Sequence, residues 1–242
     1  MSDKKRRILF VSALVTILFL NSCTVYTPAI QSPVTIKEKG QIQADANISF
    51  SSILLLPLGF NGSIAYGISD NTSVQLSTNM KLFDYYEYDI SAGNYFINKN
   101  KFRLGLFPGY SYGKIDYLDM SGDIMSLPMN DWTGNYHNFY LRLQSLIDLK
   151  ILTLGIGAKT GLFLPNLLMD NTIVNKKAII TQPTLYIKPN IEFDKISCGL
   201  SLTYLSLNTL GSFQNYNHIH QNFYNPFIVA FGFSYKFDTI KK

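Results

Sequence analysis

Phe227-Ile228-Val229-Ala230-Phe231-Gly232-Phe233-Ser234-Tyr235-Lys236-Phe237 decides the fold class. Phe227, Val229, Phe231, Phe233, Tyr235 and Phe237 alternate with Ala230, Gly232, Ser234 and Lys236, so one side of the segment is apolar and the other small or polar. A repeat of two is the signature of an extended strand with two unlike faces, since successive side chains point to opposite sides of the sheet. The same rhythm runs backwards through the chain. Leu185, Ile187, Ile191 and Phe193 oppose Thr184, Tyr186, Lys188, Asn190 and Glu192; Leu152, Leu154 and Ile156 oppose Thr153, Gly155, Gly157 and Lys159. Phe139, Leu141, Leu143 and Ile147 alternate with Asn138, Tyr140, Arg142 and Gln144, and Val74, Leu76, Met80 and Leu82 with Ser73, Gln75, Ser77, Asn79 and Lys81. From about Gly40 onward no stretch has helical periodicity.

Turn-forming residues bound ten candidate strands, near 41–50, 61–69, 73–83, 86–97, 101–113, 136–148, 150–162, 180–193, 196–207 and 225–237. Tight connections alternate with longer ones: Asp70-Asn71-Thr72, Asn98-Lys99-Asn100, Asp148-Leu149 and Asp194-Lys195 are short, whereas 114–135, 163–179 and 208–224 are long. About ten residues rising roughly 3.3 Å each at a tilt of about 40° span about 25 Å, the apolar height of a membrane-spanning barrel. Aromatic residues such as Phe60, Phe83, Tyr86, Phe96, Phe102, Phe193 and Phe237 stand near strand ends, where the girdles of such barrels lie. The expected fold is therefore all-β, an antiparallel up-and-down transmembrane β-barrel of about ten strands, with eight as the alternative count.

The composition agrees. Of the 242 residues 15% are charged, against roughly 25% in soluble domains, and 14% are aromatic. A soluble, lipocalin-like barrel holding an apolar ligand is the rival architecture, in which the apolar set would face inward. The second face of these strands is rich in Gly, Ser, Thr, Asn and Gln and poor in charge, which suits a narrow polar lumen better than a water-facing surface.

The first residues set the compartment. Lys4, Lys5, Arg6 and Arg7 precede the thirteen-residue apolar run 8–20, which is shorter than the about 20 residues of a spanning helix and reads as a signal-peptide core. Leu20-Asn21-Ser22-Cys23 resembles the lipobox of bacterial lipoproteins, which implies that Cys23 is lipidated. The expected organisation is a signal peptide at 1–22, a lipid-anchored periplasmic linker at 23–39 and the barrel at 40–242. Cys198 is then the remaining thiol, and no disulfide framework is expected. Four of the 21 basic residues and one of the 16 acidic ones precede Cys23, so the net charge of +5 falls to +2 in the rest. That leaves no basic signature for nucleic acid.

Cys23, then Tyr26-Thr27-Pro28, then Ile36-Lys37-Glu38-Lys39-Gly40-Gln41 leading into the first strand, resemble small Bacteroidetes-type outer-membrane β-barrel lipoproteins. The resemblance extends through the strand rhythm to the aromatic last strand. It implies an outer-membrane location in a Gram-negative bacterium, outer-membrane lipid as the surroundings and the barrel-insertion machinery as an assembly partner. The family is largely of unassigned function, so no catalytic residues follow from it.

Alternation directs Asp45, Lys81, Arg103, Arg142, Lys159, Lys188, Glu192 and Lys236 into the lumen, six cations against two carboxylates. Such an interior could pass anions, yet ten strands enclose so little space that side chains fill it as a plug. His218-Ile219-His220 and Tyr216 lie in the last long connection, beside Gln214, Asn215, Asn217, Gln221, Asn222 and Tyr224, a mixture of amides and aromatics suited to gripping an extracellular ligand or protein. The two imidazoles lack further ligands at fixed spacing, and Asp116, Asp119, Asp123 and Asp131 lack the ligand order of a calcium loop. No metal site, no cofactor and no catalytic set is expected. The functional expectation is a structural or surface-binding barrel acting through its extracellular loops; a narrow anion-passing channel and, more distantly, a lipid-modifying enzyme are the alternatives.

Overall fold

Alternation of the kind seen at the C-terminal end recurs along the wall of the computed structural model, which describes residues 33–50, 58–81, 85–99, 101–117, 132–149, 151–169, 172–175, 177–189, 196–204, 206–209 and 227–238. The strands are β1 (Gln41–Phe50), β2 (Leu58–Gly67), β3 (Thr72–Lys81), β4 (Tyr85–Lys99), β5 (Phe102–Tyr117) and β6 (Trp132–Asp148). They continue with β7 (Leu152–Met169), β8 (Thr172–Val174), β9 (Ala178–Pro189), β10 (Ile196–Tyr204), β11 (Ser206–Thr209) and β12 (Phe227–Asp238). β8 and β9 both pair with β7, and β10 and β11 both pair with β9, so each couple is one interrupted stave. Ten staves result, every neighbour antiparallel, and β12 closes the ring by pairing with β10 on one side and β1 on the other, from Gln41 opposite Asp238 to Phe50 opposite Val229. Closure leaves no unpaired edge, the condition for crossing hydrocarbon with strands.

The faces settle which solvent surrounds this barrel. Gln43, Gln75, Glu87 and Asn138 point inward and are at most 1% exposed, while Ile64, Leu76, Ile90 and Phe233 point outward and are 53–65% exposed. In water each such outward side chain would forgo the roughly 1.5–3 kcal/mol gained by burying it. Hydrocarbon removes that cost, and inside the polar side chains bond to one another, as Gln43 does to Asp45 and Arg142 to Gln75. The arrangement is the inverse of a soluble ligand-holding barrel, and it is that of a membrane barrel.

The expected long connection at 163–179 is mostly wall. β7 continues to Met169 and β8 resumes at Thr172, because Leu162-Phe163-Leu164-Pro165 keeps two-sided alternation, with Phe163 and Pro165 buried and Leu162 exposed, although the apolar run hides the period. Likewise β5 and β6 reach further than expected, to Tyr117 and back from Trp132. β4 to β7 have 15 to 18 residues, roughly 40 Å along the axis, and project beyond the apolar band.

Two glycines of β5 make room for aromatic rings in this narrow interior. A Cβ at Gly109 would lie 2.3 Å from the ring of Tyr140, and one at Gly113 would lie 2.3 Å from that of Tyr136. The rings of β6 can therefore lie flat over β5.

Candidate functional site: the lumen

The lumen is built in layers. At its centre Lys159 of β7 sends its Nζ to within 3.0 Å of Asp89 Oδ2 and 3.9 Å of Glu87 Oε1, both on β4. The ammonium also stands 3.9 Å over the ring of Tyr140, whose hydroxyl donates to Asp89 Oδ1 at 2.5 Å. The Tyr85 hydroxyl donates to Glu87, and it meets the hydroxyl of Tyr136 at 2.6 Å. Among the described residues one cation thus stands beside two carboxylates, each of which also accepts from a tyrosine hydroxyl. Burying charge is tolerable only with such pairing.

Next to this layer, Arg142 Nη2 donates to Gln75 Oε1 at 2.8 Å, with its guanidinium 4.9 Å over Phe107. Gln75 Nε2 donates to Ser63 Oγ, Ser63 donates to Asp45 Oδ2 at 3.0 Å, and Gln43 Nε2 donates to the same carboxylate at 2.8 Å. A chain of amides and hydroxyls therefore carries the charge of Asp45 across β1, β2 and β3.

The end of the barrel that holds the tight turns is closed by the chain itself. Residues 33–37 belong to no strand, and 33–36 run inside the wall, with Val34, Thr35 and Ile36 at most 4% exposed. Part of the expected linker thus lies within the barrel. This strap turns into β1 through Gly40, whose φ of 79° lies in the left-handed region that favours glycine and whose N–H donates to Gly67 O at 2.8 Å. Val34 and Ile36 pack with Ala65, Tyr95, Phe107 and Leu146. A bulge in β4 between Tyr95 and Ile97 holds Tyr95 inward, where its hydroxyl donates to Val34 O, and leaves Phe96 outward. Arg103 lies 5.5 Å over the ring of Tyr95, reaches Asp148 at 3.5 Å and donates to Ile36 O at 3.2 Å.

Between strap and central layer lies a cavity of about 40 Å³ bordered by Pro33, Arg142, Gln144, Lys159 and Gln182. β7 borders it with Gly155 and Gly157, beside Tyr186. The volume exceeds the about 10–15 Å³ that one water needs.

Of the residues directed inward by sequence, Asp45, Arg103, Arg142, Lys159 and Lys188 are buried at 2–7% exposure, and Lys236 is half-buried with its Nζ on Thr35 O at 3.2 Å. The structure joins Lys159 to β4 and Arg103 and Lys236 to the strap, and it links Asp45 to the strap through Gln43, whose Nε2 donates to both Asp45 and Pro33 O. Lys81 has a described backbone, opposite Gly59 and Tyr85; its side chain, and Glu192, Cys23, Tyr216, His218 and His220, lie outside the described residues. Sequence reading missed Glu87, Asp89 and the strap. The two carboxylates follow Tyr85 at a period of two and so share its face, a signal masked by the aromatic neighbours Tyr86 and Tyr88. With Asp148, which pairs with Arg103, they bring the described interior close to charge balance, five cations facing four carboxylates. Among the described residues no group of three or more His, Cys, Asp or Glu is placed to hold a metal ion.

No protein-family model matches the chain, and no curated protein sequence matches it. Solved structures do. The outer membrane protease OmpT from Escherichia coli is 12% identical, with 82% of this chain and 94% of that one covered and a TM-score of 0.48. An outer membrane channel from Pseudomonas putida F1 is 9% identical, with 86% and 100% covered and a TM-score of 0.48. The N-terminal β-barrel domain of Pseudomonas aeruginosa OprF is 9% identical, with 82% and 98% covered and a TM-score of 0.37.

Proposed function

We propose that the protein is an outer-membrane lipoprotein barrel of a Gram-negative bacterium, closed in its resting state, which holds its long connections at the outer surface for contact with an extracellular ligand or protein. The observation that carries this reading is the filled lumen inside an apolar wall. From the strap to Tyr85 and Tyr136 the lumen is largely filled by hydrogen-bonded and ion-paired side chains, so the wall acts as a rigid mount rather than an aqueous pore. Tight turns face the periplasm in such barrels and longer connections face outward. On that orientation 118–131 and 210–226, the latter containing Tyr216, His218 and His220, are the outward segments.

The contact role is tested by photo-crosslinking on intact cells with p-benzoylphenylalanine at Tyr216. A discrete adduct, absent when the same residue replaces the outward-facing Leu76, is expected; no adduct at Tyr216 or at neighbouring Tyr224 overturns the contact role.

Lipidation at Cys23, implied by the lipobox-like Leu20-Asn21-Ser22-Cys23, is tested separately. Metabolic labelling with an alkyne fatty acid should mark the wild-type protein. Cys23→Ala should lose the label completely and accumulate as the longer, unprocessed chain. Equal labelling of the two removes the anchor from the proposal and leaves the barrel untouched.

A further inference from the structure

The strap is bound as a peptide ligand is bound. Each of its carbonyls from residue 33 to residue 36 accepts a hydrogen bond from a wall side chain: Pro33 O from Gln43 Nε2 at 3.1 Å, Val34 O from Gln144 Nε2 at 3.1 Å and from Tyr95, Thr35 O from Lys236, and Ile36 O from Arg103. The Thr35 N–H returns a bond to Gln43 Oε1 at 2.7 Å, and the Lys37 N–H to Gln41 Oε1 at 3.0 Å. The donors come from β1, β4, β5, β6 and β12. None of these bonds belongs to a sheet ladder, so the strap can leave while every strand pairing of the barrel stays intact.

Most of this recognition is directed at main chain, which any sequence offers. The side chains of Val34 and Ile36, two residues apart and seated in the cluster with Ala65 and Leu146, select for apolar residues, while Thr35 Oγ1 donates to Gln43 Oε1 at 2.9 Å and Lys37 Nζ stands 3.5 Å from Asp148. The deep end of the site is less well served. Gln182 Nε2 and Gln144 Oε1, in residues 3% exposed, have no hydrogen-bond partner among the described residues and border the cavity beside Pro33. Proline has no N–H, so the strap cannot donate into that cavity from its main chain at this position. A donor and an acceptor thus border the cavity where a chain with an N–H at this position would meet them.

We propose that the turn-side lumen is a binding site for an extended peptide with apolar residues at alternate positions, and that residues 33–37 are its resident, exchangeable occupant. The competing segment enters from the side of the tight turns, lays its carbonyls on Gln43, Gln144, Lys236 and Arg103, and extends into the cavity toward Gln182. The strap then behaves as an internal competitor. Its covalent attachment gives it an effective concentration that an incoming segment must exceed.

The test uses the full-length protein in detergent and an N-acetylated peptide Pro-Val-Thr-Ile-Lys-Glu-Lys that carries fluorescein at its C-terminal end, read by anisotropy. Val34→Asp/Ile36→Asp unseats the strap, and the variant should bind the peptide at least about tenfold more tightly than wild type does. Replacing the first residue of the peptide by alanine, which restores an N–H, should tighten binding further. A variant that keeps its heat-modifiable band on a detergent gel yet binds no peptide overturns the proposal, as does equal binding to variant and wild type. Should the double variant fail to fold, hydrogen exchange on the wild type decides. Exchange of 33–37 well ahead of the β1 ladder supports an exchangeable strap, and exchange of the two together overturns it.

Discussion

Lys159→Met destabilises the barrel by about 3–5 kcal/mol, the cost of leaving buried charge without its partner. The side chains of Asp89 and Glu87 are fully buried, and Lys159 Nζ sits at 3.0 and 3.9 Å from them. Methionine keeps the apolar stem of lysine and its contact with the Tyr140 ring, so the loss isolates the charge rather than the volume. Urea unfolding from lipid vesicles, followed by the boiled-to-unboiled mobility shift, measures it. The control is the triple variant with Asp89→Asn and Glu87→Gln, in which all three charges are gone. Replacing a complete buried ionic group by neutral side chains is often close to neutral in stability, so most of the deficit should return. A single variant as stable as wild type would mean that water already screens the cluster and that the central layer is not closed. A triple variant as unstable as the single one would assign the loss to packing around Tyr140.

This cluster also marks how far the sequence could be read. Strand existence was legible nearly everywhere because the two faces of each strand meet different solvents, and that difference is written as a period of two, as in Ser73 to Lys81 or Phe227 to Phe237. The inward direction of Lys159 and Arg142 followed from the same period. Their partners did not, because pairing is set by the stagger between strands that are distant in sequence. Lys159 lies opposite Arg142 and Gln182 in the ladders, yet it reaches across the lumen to Asp89, 70 residues away. Glu87 and Asp89 were hidden for another reason: between Tyr85 and Tyr88 every residue is large, and amphipathic tyrosine can face either lipid or lumen. The strap was the least legible element. Its seat depends on backbone carbonyls, which all residues possess, so the five wall side chains that hold it leave no mark in the sequence of 33–37. Only Val34-Thr35-Ile36 hints at a buried face, and three residues are too few to distinguish from an ordinary lead-in to β1.

Leu76→Arg provides the complementary result on the outer face. Leu76 lies in the middle of β3, between Ile64 of β2 and Ile90 of β4, and all three are more than half exposed. If hydrocarbon covers this face, an arginine near its midplane costs about 2–4 kcal/mol, and the same substitution close to a barrel rim costs about 0–1 kcal/mol. Ile42→Arg, near the turn end where Ile42 faces Phe237 and Tyr66, supplies the rim comparison. The expected outcome is a graded loss, large at Leu76 and small at Ile42, seen in urea unfolding from vesicles and as poorer recovery of Leu76→Arg in carbonate-washed membranes. A barrel surrounded by water predicts otherwise. There an exposed leucine replaced by arginine changes stability by no more than about 0.5 kcal/mol, and position along the strand has no effect. The depth dependence thus measures the solvent directly: only a slab of hydrocarbon with two boundaries penalises the middle of a strand more than its end.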